Sequence, residues 1–190
     1  MVRLSLILAT SGRDSLPFAA RSARVQMKAG DELLIVGGGA LGEMVAGWNQ
    51  ARWIDMPAGG NWGHAERNHA IPLANGTHLL FIDDDDALVP GALDCIRDAV
   101  AEAPGRPHIF AMIDPHGRTL PMVPQVRLGN LGTPQMVAPN VAGKLGVWGN
   151  RYEGDFDFIA GTVGHYVDGP VWHDTVTYAC RHYGQKAWER

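Results

Sequence analysis

Four consecutive aspartates, Asp83-Asp84-Asp85-Asp86, follow the apolar run Leu79-Leu80-Phe81-Ile82. Adjacent like charges repel and Asp is a poor strand residue, so the run is costly unless water or a cation neutralises it. Mg²⁺ and Mn²⁺ prefer carboxylate oxygens and commonly join one or two of them to substrate phosphates. The competing reading is a solvated acidic turn, with Asp86 near the N-terminus of the next helix. A second unusual segment is Gly37-Gly38-Gly39-Ala40-Leu41-Gly42, which satisfies G-x-G-x-x-G after an apolar run. Asp55, 18 residues after Gly37, stands near the place of the acidic residue in a dinucleotide fingerprint.

The elements that position these groups follow from hydrophobic pattern. Leu4–Ala9, Glu32–Val36, Arg52–Met56 and Thr77–Ile82 read as strands, the last being the strongest. Helical patterns lie between them, at Ser15–Met27, Leu41–Asn49 and Gly63–Ala74. Pro90 opens a further helix through about Ala103, with Leu93, Ile96 and Val100 on one stripe. Alternating strands and helices predict an α/β fold, a mostly parallel sheet flanked by helices. Such sheets bind ligands beyond the carboxyl ends of their strands, where Gly37–Gly39 and Asp83–Asp86 both fall. After Pro104 the pattern loosens. His108–Ile113 and Gln135–Ala138 read as strands, Gly143–Gly154 as an irregular stretch and Thr175–Tyr183 as a helix. The expected organisation is one domain, residues 1–103 forming a ligand-binding half and 104–190 an irregular second half.

Composition bounds the partners. The 190 residues are 46% hydrophobic and 19% charged, with net charge −4 and scattered Lys and Arg. No basic stripe supports a nucleic-acid partner. The apolar N-terminus is too short for a membrane span, and Gly12-Arg13-Asp14 interrupts any signal-peptide pattern. Cys95 and Cys180 have no metal-ligand spacing and read as two reduced thiols of a cytoplasmic protein.

The stretch from Arg67-Asn68 through Ala74-Asn75-Gly76 to Leu79-Leu80-Phe81-Ile82-Asp83-Asp84-Asp85-Asp86 resembles family 2 glycosyltransferases. These show an Arg-Asn pair, a small-residue–Gly step, and an apolar strand ending in Asp-x-Asp-Asp. Leu4–Arg13 is similar to the family's first strand and its Thr-x-x-Arg loop, and Asn61 with Gly63 matches a common Asn-x-Gly. The likeness covers residues 3–100 well and the rest loosely.

The resemblance implies a GT-A (Rossmann-like) fold, a nucleotide-sugar donor, an unknown acceptor and Mn²⁺ or Mg²⁺. It implies that Asp83 lies near the donor ribose, with Asp84 in support, and that Asp85 ligates the metal. Asp86 shares that role, and four aspartates leave the register open by one. Arg67 helps hold donor groups, and Thr10 and Arg13 line the nucleotide pocket. A late histidine ligates the metal in some such enzymes, which makes His173 a further candidate. The family inverts the sugar centre by direct displacement and needs one general base. Within Glu153-Gly154-Asp155-Phe156-Asp157, Asp155 is the first candidate, Asp157 the second and Glu153 the third; an N-cap is the competing role for Asp155. Trp62, Trp148, Trp172 and Tyr152 lie in the same loop regions, as sugar-stacking faces or as partly buried packing.

One departure concerns the donor. The family's second strand usually ends in an acidic step that contacts the base, and here it ends in Gly37-Gly38-Gly39. The rival class is an NAD(P)- or flavin-binding oxidoreductase using Gly37–Gly42. Against it, the glycines follow the second strand, the acidic run has no role, and no Tyr-x-x-x-Lys pair is present. A third class is a non-catalytic nucleotide-binding protein of the same fold. At 190 residues the chain is short for the family, with little room for an added acceptor domain, so a partner subunit or a large, protruding acceptor is expected to complete the site, and a homo-oligomer is a further expected partner state.

Overall fold

The computed structural model describes residues 1–39, 41–57 and 62–180. Asn61 and Ala40, named above, lie outside the described residues. The first strands are β1 (Leu4–Ala9), β2 (Glu32–Gly37), β3 (Ala51–Asp55) and β4 (His78–Asp83), with helices α1 (Leu16–Arg24), α2 (Leu41–Val45) and α3 (His64–Ala70) between them. They are joined in the order β3-β2-β1-β4, all parallel. Then come β5 (Ala87–Leu88), α4 (Ala92–Glu102), β6 (His108–Ile113), β7 (Thr119–Leu120), β8 (Met136–Pro139), α5 (Gly154–Val163) and β9 (Val171–Ala179). The sheet continues β4-β8-β6-β9-β5, with β7 on β6.

The second half is where the sheet departs from a mostly parallel one. β8 runs antiparallel to both β4 and β6, and β5 antiparallel to β9, whereas β9 is parallel to β6. β8 is reached through irregular chain, without the crossover helix that a parallel neighbour requires. A second correction concerns the tail. The helix read at Thr175–Tyr183 is a strand through Ala179, and residues 181–183 lie outside the described residues. Val, Trp and Thr dominate Val171–Thr177, and these side chains pack on a pleated surface better than in a helix.

Period-two alternation builds two cores from one sheet. On one face Leu4, Leu6, Leu8, Leu80 and Ile82 pack with α1 through Leu16, Ala19 and Ala23, and with α4 through Leu93, Ile96 and Val100. On the other, Ile7, Leu79 and Phe81 pack with Ala70 of α3 and with Phe158 and Ile159 of α5. Phe81, Phe158 and Trp148 form the densest part, the Trp148 and Phe158 rings stacked at 3.7 Å between centroids and Phe81 set edge-on to both. Because Asp83 continues the Leu79–Phe81 alternation, its side chain emerges on the α3 and α5 face.

Three histidines gather at the amino end of the sheet. His108 is fully buried; its Nε2 meets the Ala103 carbonyl at 3.0 Å and its Nδ1 meets His173 Nε2 at 2.9 Å. His173 stacks on Phe110, and His78 Nε2 meets the Pro104 carbonyl. Burial lowers all three, His108 to about 4. A buried histidine whose folded value falls below its unfolded 6.5 stabilises fully above 6.5 and progressively less as pH falls toward 4. For His108 the loss is at most about 3 kcal/mol. We therefore expect urea midpoints to drop between pH 7 and pH 4.5, and His108→Gln to make that drop shallower whatever its effect at neutral pH. An unchanged pH slope in His108→Gln would contradict this assignment.

Candidate functional site

At the carboxyl edge of the sheet a cavity of about 750 Å³ is lined on one side by Thr10, Ser11, Arg13, Arg67, Asp83, Asp84 and Asp85. The opposite side includes Trp62, His64, Tyr152, Glu153 and Asp155. The fold solves the repulsion within the acidic run by spreading the carboxylates over several partners, with Arg13 shared between Asp85 and Asp84. Asp83 is ion-paired with Arg67, and Tyr178 Oη accepts a hydrogen bond from its backbone N–H at 2.8 Å. Asp84 accepts from Thr10 Oγ1 at 2.8 Å and from the Ser11 N–H at 3.1 Å. Asp85 is ion-paired with Arg13, whose side chain is half exposed. Asp86 turns away: it is buried, hydrogen-bonds with the Cys180 thiol and does not line the cavity. Burial and the nearby Asp86 and Asp83 push that thiol up.

Arg67 is 3% exposed and sits under the cavity floor. Its guanidinium pairs with Asp83, donates to the Trp62 carbonyl at 2.7 Å and lies 5.9 Å from the Trp148 ring centroid. Burial opposes its charge, but Asp83, Asp155 and Tyr178 outweigh that and raise its value. Burial also pushes Asp83 up; Arg67 opposes this, and Asp155, Asp85 and Asp84 reinforce it. Gly63 opens α3 with φ +76°, and a Cβ there would lie 2.8 Å from Ala9 Cβ and 3.0 Å from Arg67 Nη1. A side chain at that turn would displace Arg67 as well as strain the backbone.

Asp155 stands in the first turn of α5 and reaches the cavity, with about a third of its side chain exposed (35%). Thr133 donates to it through Oγ1 and through its backbone N–H at 3.2 Å, and Trp148 Nε1 donates at 3.2 Å. His64 Nε2 lies 3.7 Å from Oδ1. Burial would raise Asp155, but the nearby His64, the Arg67 charge and the Thr133 hydrogen bonds bring it down to about 2. It is an ionised carboxylate at any ordinary pH. It is not an N-cap: the capping position is Glu153, with no side-chain cap bond.

The remaining expectations divide by location. Asp157 is bound by Arg151 and lies outside the cavity, so of the two leading base candidates only Asp155 reaches it. His173 is not brought to the acidic run. It stands five residues before Tyr178 on β9, on the order of 15 Å at about 3.3 Å per residue. Its ring is engaged by His108 and Phe110 at the other end of the sheet. Among the aromatics, Trp62 and Tyr152 are exposed and meet edge to face at the cavity wall. Trp148 and Trp172 belong to the core instead. The glycine run does not line the cavity, and α2 after it is five residues long. His64, Glu66, Thr133 and Tyr178 stand at the site beyond the residues that the sequence singles out. His64 precedes Arg67 by three residues and shares its helix face, a visible signal; Thr133 and Tyr178 depend on β8 and β9 pairing, which is not.

Fold and site together define a class, an α/β domain of GT-A-like architecture with carboxylates massed at the carboxyl edge of its sheet. No protein-family model and no curated protein matches the sequence. Among solved structures the chain is similar to S. aureus TarS residues 1–349, at TM-score 0.73 and 16% identity over 94% of this chain. A longer TarS structure matches at TM-score 0.72 and 16% identity over 98% of this chain, and TarS 1–349 in complex with UDP-GlcNAc at 0.70 and 16% over 94%. The chain spans 60% of the first of these, 38% of the longer one and 58% of the complex.

The hydrogen bonds around Asp155 make a measurable claim. Thr133→Val removes the Oγ1 donor and leaves the backbone donor in place. We expect the Asp155 carboxyl, which its donors hold down at about 2, to titrate at higher pH, followed by ¹³C NMR of side-chain carboxyls, with a stability loss of about 1 kcal/mol. An unmoved titration would mean that Thr133 does not hold this carboxylate.

Proposed function

We propose that the chain is a metal-dependent, inverting glycosyltransferase that moves a sugar from a nucleoside-diphosphate sugar to an acceptor hydroxyl. The observation that carries this reading is one cavity with a carboxylate cluster on one wall and, on the other, Asp155, an ionised carboxylate oriented by Thr133 and Trp148. The TarS structures with UDP-GlcNAc and UDP make UDP-GlcNAc the first donor to try and UDP the first nucleotide. The glycines at the end of β2 supply no base-reading carboxylate, so the nucleotide is left to experiment.

The donor set suits a hard divalent cation. Among the described residues no group of three or more His, Cys, Asp or Glu is arranged to hold a metal alone. Mg²⁺ and Mn²⁺ need only one or two carboxylates when substrate phosphates supply the rest. Asp85 would hold it, since it lines the cavity and its Arg13 partner is half exposed on a flexible stem. When bound, the cation supplies charge that offsets the negative charge growing on the departing diphosphate. Asp84, oriented by Thr10 and Ser11, and Asp83, oriented by Arg67, fix the shape of this wall. Trp62 and Tyr152 offer ring faces to a sugar. Asp155 takes the acceptor proton as the acceptor oxygen bonds to the anomeric carbon from the side opposite the leaving group.

Calorimetric titration with UDP tests the first wall: binding should need Mn²⁺ or Mg²⁺, and Asp85→Ala should abolish the metal dependence. Equal UDP affinity with and without metal would sink the cation's role. For the second wall, Asp155→Asn should lower transfer by about 10²–10⁴-fold while UDP affinity stays within a few-fold. Unchanged turnover would remove Asp155 as the base. Diphosphate binding without transfer or donor hydrolysis by the unaltered chain would point to a non-catalytic nucleotide-binding protein.

A further inference from the structure

His64 is 3% exposed, yet it lines the cavity between the two walls. Its Nδ1 lies 3.1 Å from the Gly149 carbonyl oxygen, which can only accept, so Nδ1 carries a hydrogen. In the neutral ring Nε2 then presents its lone pair to Asp155 Oδ1, 3.7 Å away, beyond direct hydrogen-bond reach. The seat is tight. Gly154 opens α5 against the imidazole, and a Cβ there would lie 2.5 Å from His64 Cε1 and Nδ1 and 2.8 Å from the Gly149 oxygen. The start of the helix that carries Asp155 is therefore built around this ring in this orientation.

Asp155 already accepts from Thr133 Oγ1, Trp148 Nε1 and the Thr133 N–H. Those donors favour the carboxylate and make it a poor place for a proton to stay. We propose that His64 Nε2 is the second station for the acceptor's proton, received through Asp155, an inference that rests on the glycosyl-transfer reading. The acceptor O–H breaks as its oxygen bonds to the anomeric carbon, and the bond from that carbon to the diphosphate breaks with the diphosphate keeping the electron pair. The proton passes to Asp155 and on to Nε2, which restores the carboxylate. The imidazolium so formed directs one N–H to Gly149 O and the other to Asp155, and returns its proton to water when products leave. The charged groups around the ring are Glu66 and Arg67 on α3, and Glu153, Asp155 and Asp157 at the start of α5.

Two measurements on the full chain test this. Long-range ¹H–¹⁵N spectra, with His64 identified by its absence in His64→Gln, should show the neutral ring as the Nδ1–H tautomer. With UDP-GlcNAc as donor, His64→Gln should lower kcat at least tenfold, leave donor KM within a few-fold and remove the acid limb of the kcat profile. Gly154→Ala, which keeps the histidine but crowds its seat, should reproduce the fall in kcat. An Nε2–H tautomer, an imidazolium at every pH, or a wild-type kcat with the acid limb intact in His64→Gln would each overturn the proposal. If the unaltered chain turns over no donor, the glycosyl-transfer reading fails, and the tautomer alone decides the geometry claimed for His64.

Discussion

A buried guanidinium set between two carboxylates is the interaction on which the site depends. Arg67 is under the cavity floor, and both Asp83 and Asp155 raise its value. Removing a charge from water costs several kcal/mol unless it is paired and hydrogen-bonded. Arg67 meets that condition through Asp83 and the Trp62 carbonyl. Its position is fixed from both directions, by the turn at Gly63 that opens α3 and by the end of β4. The two walls of the cavity are thus tied through one cation, although Asp83 and Asp155 are 72 residues apart.

That tie explains how a run of four like charges persists at the end of a buried strand. The chain neither leaves it to solvent nor neutralises it with one partner. Asp83 goes to Arg67, Asp84 to Thr10 and Ser11, Asp85 to Arg13, and Asp86 turns inward to Cys180. Arg13, the partner of Asp85, is half exposed on a flexible stem and also lies 3.5 Å from Asp84, the arrangement easiest to exchange for another cation. The aromatic cluster of Phe81, Trp148 and Phe158 holds α5 to the sheet, so the carboxylate in its first turn keeps its distance from the run.

Two edges of the same sheet carry opposite solutions to burying ionisable groups. At the carboxyl edge the carboxylates are met by counter-charges and donors, Arg67 at Asp83, Arg13 at Asp85 and Thr10 with Ser11 at Asp84. At the amino edge His78, His108 and His173 are held toward the neutral form by burial, with carbonyls and one another as hydrogen-bond partners. His173 belongs to the second group, and strand direction alone puts it there.

The sequence determined the first half closely. Apolar runs and caps placed β1 to β4, α1, α3 and α4 within a few residues, because buried parallel strands and amphipathic helices are written in local periodicity. The Arg67-Asn68 and Asp83–Asp86 spacing located the acidic wall, and Glu153–Asp157 the opposite one. What it left open was register: which aspartates face the cavity, and whether Asp155 or Asp157 does. Those outcomes depend on the direction each side chain takes at an element's end, which periodicity does not encode. Residues 175–179 form a strand where the local pattern predicts a helix, because β9 is defined by β6 beside it, a pairing across more than sixty residues. Tyr178, His64 and Thr133 acquired their places for the same reason, since a group's role here is set by what non-local pairing brings opposite it. Tertiary structure alone assigned Asp83, Asp84 and Asp85 to the cavity and Asp86 to the core, by giving each carboxylate a different neighbour.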